Sequence, residues 1–271
     1  MPGRAKSSKQ SSQVASSQRG LPLSQRNVDP EESMIIEDSQ DEIAPSQAVS
    51  QARRALSSIS PDIVDKKVYD LVQYLLIMER KKYPVKRLDI NKMVLKEHSK
   101  GFMVFMEKAK KVLKDVFGLD LVEIDNKTKC YILVNALDPV PEMPIGLPNE
   151  EKAKMGLVMT ILSVIFMKGN VIDDDELYRF LMKLGVDIQA SHAVFGDVKK
   201  LITIELVRQG YLDFQRQRNS DPPSYEIRWG PRAKHELTKG NALKFVSQEI
   251  FQQQDPSIWT DQFQDAHGQN E

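Results

Sequence analysis

The sequence predicts an α+β protein, mainly α, built from two consecutive small domains of like design. Three observations carry this reading. Apolar residues recur at three- and four-residue spacing over several segments, which marks amphipathic helices. Two pairs of short runs rich in β-branched and aromatic residues flank polar turns, which marks β-hairpins. Between the two groups lies a stretch, residues 139–148, with four prolines in ten positions. Proline cannot continue a helix, so this stretch is predicted to be a linker.

Taken in order, Asp62–Tyr83 is predicted to be helical because Val64, Val68, Leu71, Leu75 and Met78 fall on one stripe, and Pro84 ends it. A short helix around Asp89–Lys96 follows, then a longer one over Phe102–Phe117 that Gly118 closes. Leu119–Ile124 and Cys130–Asn135 form a hairpin about Asp125-Asn126-Lys127. In the second group, Glu150–Lys168 is stopped by Gly169-Asn170. Asp173-Asp174-Asp175 supplies an N-cap and dipole-favoured acids for Glu176–Leu184, which Gly185 stops. A third helix spans about Phe195–Arg208, with Thr203 able to begin a separate turn. Tyr211–Gln217 and Ser224–Trp229 then flank the turn 218–223. Three helices and a hairpin, twice over, is the order of tandem winged helices, a helix-turn-helix variant whose hairpin forms the wing.

Residues 1–60 differ in kind. They hold 14 serines and no aromatic residue, so they bury too little apolar surface to offset the entropy cost of ordering, about 1–2 kcal/mol per residue. They are predicted to be a disordered Ser/Gln-rich tail. The chain thus divides into this tail, domain A (61–138), the linker, domain B (149–247) and an acidic C-terminal tail (248–271). The formal net charge is zero, from 38 basic and 38 acidic residues. By region it is 0, +4, −1, +2 and −5, so two basic domains are cancelled by the acidic tail, and neutrality is no argument against nucleic-acid binding.

Several chemistries are excluded by pattern. One cysteine, Cys130, allows no intrachain disulfide and no Cys-rich zinc site, and the four histidines are scattered. There is no glycine-rich phosphate loop, no HExxH and no Cys/His nucleophile signature. Cys130 falls within a strand, where a packing role fits better than a nucleophilic one. The acids 173–176 have no second ligand cluster and are read as helix capping. Neither a signal peptide nor a membrane span is expected. The expectation is a non-enzyme without cofactor or metal.

Four runs resemble the MAGE homology domain, from about residue 62 to 247 and in the family's order. They are Leu71-Val72-Gln73-Tyr74-Leu75-Leu76; Leu121-Val122-Glu123-Ile124-Asp125 with Tyr131-Ile132-Leu133-Val134-Asn135; Val164-Ile165-Phe166-Met167-Lys168-Gly169-Asn170; and Tyr225-Glu226-Ile227-Arg228-Trp229-Gly230-Pro231-Arg232-Ala233. The last is the most specific. The resemblance implies tandem winged helices and a non-catalytic partner of RING-type ubiquitin ligases. Within the family, the chain is most similar to the branch that serves the structural-maintenance-of-chromosomes five–six complex. That likeness implies a RING-bearing subunit, a kleisin and SMC-family ATPases as partners, a role in DNA repair and recombination, and a nuclear, chromosome-associated place. A family adaptor that selects protein substrates without touching DNA is the alternative. A stand-alone, sequence-specific transcription factor is a third class.

Site expectations follow. Helical phase places Leu76 about a quarter-turn off the apolar stripe and Ile77 nearly opposite it. Phase alone leaves core packing and a partner surface both open. The family's RING-contacting dileucine matches Leu75 and Leu76, with Leu76 the more exposed and Leu75 partly core. In domain B, Lys199 and Lys200 on the third helix, Arg216 and Arg218 at the wing, and Arg228, Arg232 and Lys234 beyond it could meet phosphates. A solvated face is the other reading of these cations. With no base-reading pattern, such binding would be sequence-independent, and Lys199, Lys200, Arg216, Arg218 and Lys234 are its candidate residues. Lys108, Lys110, Lys111 and Lys114 are read as a solvated face, with a second phosphate-contacting surface as the alternative. The apolar helix Met155–Met167 is either a core helix or a groove for a partner helix; the kleisin's contact residues are not assignable from the motif.

In the tail, six of seven glutamines follow serine, at Ser12, Ser17, Ser24, Ser39, Ser46 and Ser50. Ser-Gln clusters resemble the substrates of phosphoinositide-3-kinase-like DNA-damage kinases, so these serines are phosphorylation candidates; each phosphate would add about −1.5 to −2 charge. Met34-Ile35-Ile36 before an acidic run resembles a SUMO-interacting motif, a short strand able to extend a sheet edge.

Overall fold

The computed structural model describes residues 50, 54, 57, 59–125, 129–137, 149–218 and 223–268. The proline-rich linker, the SUMO-interaction candidate and the serines 12, 17, 24, 39 and 46 lie outside these residues; Ser50 lies within them and is exposed.

Helix α1 (Pro61–Arg80) begins with proline at a position whose N–H would lack an intrahelical partner, and with Asp62 in its positive first turn. It buries Val64, Val68, Leu71, Val72 and Leu75 along one face. Strand β1 (Val85–Lys86) follows, then α2 (Arg87–Ile90), a π turn (Asn91–Leu95) and a 3-10 segment (Lys96–Gly101). Helix α3 (Phe102–Phe117) seats Phe105, Ala109 and Leu113 against α1. Gly118 ends it at φ 62, and a Cβ there would stand 2.6 Å from Cγ of Leu137. Only glycine meets both conditions. Strands β2 (Leu119–Asp125) and β3 (Cys130–Asn135) form the hairpin, and β1 joins its other edge, giving the order β1-β3-β2.

The second half repeats this plan. Helix α4 (Asn149–Met167) leads to β4 (Ile172–Asp173), α5 (Asp174–Lys183) and a small hairpin, β5 (Ser191–His192) with β6 (Gly196–Asp197). Helical geometry then runs over residues 198–209 as α6 (Val198–Lys200), a π turn (Leu201–Glu205) and α7 (Leu206–Gln209). Strands β7 (Leu212–Arg216) and β8 (Tyr225–Trp229) form the wing, with sheet order β4-β8-β7. In both sheets a two-residue strand pairs with the second strand of the hairpin. This is the tandem winged-helix fold expected from the element order.

Each half has its own apolar core. The first joins Leu71, Leu75, Phe105 and Leu113 to Leu121 and Leu133; the second joins Ile161, Ile165, Leu177 and Leu206 to Ile227 and Ala233. Residues from Ala44 to Glu271 form one compact unit. Among the described residues, no helix is long and apolar enough to cross a membrane.

Three local readings need correction. The third helix of the second half starts at Val198 rather than Phe195. Asp197 caps it by accepting from the Lys200 N–H at 2.9 Å, while Phe195 stacks on His192 in the preceding hairpin. Asp173 stands at the N-cap of α5 with Asp174, Asp175 and Glu176 in its first turn, as expected, but its side chain makes no capping hydrogen bond. Asp173 accepts from Gln217 Nε2 at 2.7 Å, and Asp174 accepts from the Tyr225 N–H at 3.1 Å, so both tether the wing. Finally, the acidic segment set apart at 248 continues into structure. Beyond α8 (Pro231–Glu236) and α9 (Lys239–Phe245) come a π turn (Val246–Ile250), a 3-10 turn (Pro256–Ile258) and α10 (Thr260–His267). Trp259, Phe263 and Ala266 pack on the second core.

Candidate functional site

Three surfaces hold the residues singled out by sequence. On α1, Leu75 is 2% exposed and belongs wholly to the first core. Leu76 is half-buried at the edge of that core, and Ile77 is 52% exposed. A partner reaching this helix meets Ile77 and the outer side of Leu76, not Leu75.

The cations of the second half do not form one patch. Lys199 and Lys200 are exposed on the first turn of the helical run 198–209. Arg216 and Arg218 are exposed at the open end of the wing, where Arg216 stands opposite Tyr225. Lys234 follows the other end of the hairpin, where Leu212 stands opposite Trp229. Four residues of strand separate these ends, roughly 13 Å at ~3.3 Å per residue. Lys234 instead shares a cleft of about 800 Å³ with Arg228 and Lys239. Arg228 is exposed but holds Glu226 at 2.7 Å. In the first half, Lys108 pairs with Asp65 at 3.3 Å and Lys114 with Asp120 at 3.2 Å, all solvent-facing.

Arg232 is not a surface cation. Its side chain is fully buried between the two halves. Nη1 donates to Glu236 at 2.7 Å and to Glu79, at the end of α1, at 3.3 Å; Nε donates to the Gln209 carbonyl at 3.0 Å. The Tyr211 hydroxyl donates to Glu236 at 2.7 Å, and burial, followed by the Glu236 charge, pushes its ionisation well above the usual range. Lys82 bonds Glu79 and approaches Glu236 at 3.8 Å, and the Arg208 guanidinium lies 4.2 Å over the Tyr83 ring. The contact between the halves is therefore built from charged and polar groups, with Arg232 Nε and Nη1 paired and Nη2 left without a hydrogen-bond partner. Sequence reasoning missed it because nothing in a lone arginine's type reveals burial; its place between Pro231 and Ala233, in a run of otherwise core-forming residues, was the available signal.

The surrounding run is intelligible atom by atom. Trp229 Nε1 donates to the Leu162 carbonyl at 2.8 Å, joining wing to α4. Gly230 lies so close to Gly210 that a Cβ would sit 2.3 Å from its carbonyl oxygen. Pro231 opens α8, Arg232 enters the interface, and Ala233 is 0% exposed.

Between α4 and α5 a groove of about 470 Å³ is floored by Val164, Ile172 and Phe180. Lys168 and Glu176, 2.6 Å apart, stand at its rim. The inner face of α4 from Leu157 onward, including Ile161, Leu162 and Phe166, is core, whereas Met155 and Gly156 at its start are exposed.

Two winged helices, each closing its sheet with a short third strand and joined by the buried arginine of a Trp-Gly-Pro-Arg-Ala run, define the class. Residues 71–240 match the MAGE homology domain, and the chain belongs to that family. Among its relatives is the "Non-structural maintenance of chromosomes element 3 homolog" of Homo sapiens, 42% identical over 217 residues, which cover 80% of this chain and 71% of the relative. "Melanoma-associated antigen D2" of Homo sapiens is 42% identical over 197 residues, 73% of this chain but 32% of that protein. A chain of the solved "Nse1-Nse3-Nse4 complex" superposes with a TM-score of 0.72 at 44% identity, covering 76% of this chain and 99% of that one.

Proposed function

We propose that this chain is a non-catalytic subunit of a chromosome-maintenance complex. It holds a RING-type ubiquitin-ligase subunit through the outer face of α1 and supports that ligase's activity. It receives a kleisin on the second half, where the α4–α5 groove offers an apolar floor to a partner helix. Through these subunits it joins SMC-family ATPases at chromosomes in the nucleus. Lys199, Lys200, Arg216 and Arg218 add sequence-independent contacts to DNA phosphates, serving repair and recombination. One observation carries the reading: at 44% identity, this chain covers 99% of a chain of the solved "Nse1-Nse3-Nse4 complex".

Mass spectrometry of the natively purified complex tests it. RING, kleisin and SMC subunits are expected together. Recovery of a RING ligase with its protein substrate, and no SMC subunit, would favour a substrate-selecting adaptor instead.

A further inference from the structure

We propose that the cleft at the base of the second wing is a separate phosphate-binding site, with α10 as its acidic lid. This rests on the reading of the chain as a DNA-binding subunit. Arg228, Lys234 and Lys239 converge on the cleft with Thr238, and Ala266 of α10 closes its side. Lys234 is exposed and has no ion pair among the described residues. Arg228 is held by Glu226 on the same strand, and Lys239 is held by Asp265 of α10 at 2.6 Å. The other Asp265 oxygen accepts from Asn170 at 2.8 Å, and these two hydrogen bonds, Asn170 first, hold its carboxyl below the usual range. An aspartate oxygen thus occupies Lys239 as a phosphate oxygen would, since both are anionic acceptors of the same ammonium donors.

The lid is suited to displacement. Helix α10 has eight residues and none of them is fully buried. Its attachments are the partly exposed Asp265 with its bonds to Lys239 and Asn170, Gln262 Nε2 donating to the Met167 carbonyl at 3.0 Å, and the half-buried Phe263 and Ala266, with Trp259 just before the helix. Segments with few buried contacts open at low free energy, and a partly exposed ion pair contributes little to holding them. Docked, Asp265 sets a carboxylate against the cleft and neutralises Lys239; released, the helix frees Lys239 beside the already exposed Arg228 and Lys234.

The test uses the full chain and a short fluorescent duplex titrated over a range of salt. Asp265→Asn keeps the size of the side chain and an acceptor for Asn170 but frees Lys239. It is expected to raise duplex affinity severalfold and to steepen the salt dependence by about 0.9 in log–log slope, the increment for one more neutralised phosphate. Lys234→Glu in that background should remove the gain. Lys239→Gln separates the proposal from simple loosening of α10: it also breaks the lid's anchor, yet it removes a cleft cation and should give no gain. A folded Asp265→Asn protein with unchanged affinity and slope would overturn the proposal, as would a gain in Lys239→Gln equal to that in Asp265→Asn. Tighter binding of a polyglutamate peptide, with the duplex unaffected, would also overturn it. Charge reversal at Lys199, Lys200, Arg216 and Arg218 distinguishes the two readings. If it abolishes binding while Asp265→Asn changes nothing, only the lid fails; if neither the wild-type chain nor Asp265→Asn binds duplex, both fail.

Discussion

Arg232 shows how one side chain can set the relation between two domains. A guanidinium with five donors in a planar fork can serve Glu79, Glu236 and a backbone carbonyl at once, which an ammonium on a flexible stem cannot do with the same geometry. Such a buried pair is weak evidence for net stabilisation, but removing one partner leaves uncompensated buried charge. Arg232→Ala is therefore expected to destabilise the chain by about 3 kcal/mol, lowering the thermal midpoint by roughly 6–12 °C. Arg232→Lys should recover only part of this. Differential scanning calorimetry checks both, and a loss near zero for alanine would show that the halves are held by other contacts. Residue type alone placed Arg232 with the surface cations; only its neighbours in space separate it from Lys234, two positions on.

At the scale of elements, α1 has one side buried in the first core and one side that faces outward. Leu75 lies within the first core, so Leu75→Ala removes packed methyl groups and is expected to cost about 2–5 kcal/mol. A double alanine variant at 75 and 76 would confound folding with binding. The informative variants are Leu76→Ala and Ile77→Ala, expected to keep the melting midpoint within a few degrees while weakening capture of the RING subunit in a pull-down. Full binding by both would remove α1 as the contact. The wing is a second such element. Its tethers to Asp173 and Asp174 hold the hairpin that presents Arg216 and Arg218. Charge reversal at Lys199, Lys200, Arg216 and Arg218 is expected to lower duplex affinity and flatten its salt dependence by up to about 0.9 for each phosphate no longer neutralised. Unchanged affinity in a folded variant would place DNA elsewhere. The main helices of the two winged helices were legible in the sequence because their apolar spacing is local, whereas α8, α9 and α10 were not. The two-residue strands β1 and β4 were not, since so short a strand has no alternation to read and exists only where β3 or β8 supplies its hydrogen bonds.

For the whole molecule, the division into two cores was legible and the way they are joined was not. Proline spacing and repeated element order mark two winged helices, whereas the polar contact through Glu79, Arg208, Tyr83 and Arg232 joins residues more than a hundred positions apart in sequence. The C-terminal segment is a similar case. Its composition reads as solvated acid, yet Trp259 and Phe263 bring it onto the second core. Its attachment should depend on pH. Because Asp265 titrates below its usual range in the folded chain, its charge contributes stability that is present above the unfolded value of about 3.9 and lost as pH falls through the folded value. The stability difference between wild type and Asp265→Asn, from urea unfolding, should accordingly be largest near neutrality, start to shrink below about pH 4 and vanish in stronger acid. A difference independent of pH would mean that the carboxylate charge has no part in docking.

The sequence by itself determined the class, the order of the main helices and the two wing hairpins, the membership of the family and the uneven distribution of charge, because each follows from local spacing, turn chemistry or short motifs. Tertiary structure decided which leucine of a pair is core, which arginine is buried, which acids tether a wing, and that the cations of one domain belong to two separate places. Those properties depend on what stands opposite a side chain across a strand, a helix or a domain boundary, and neighbours in space are not neighbours in sequence.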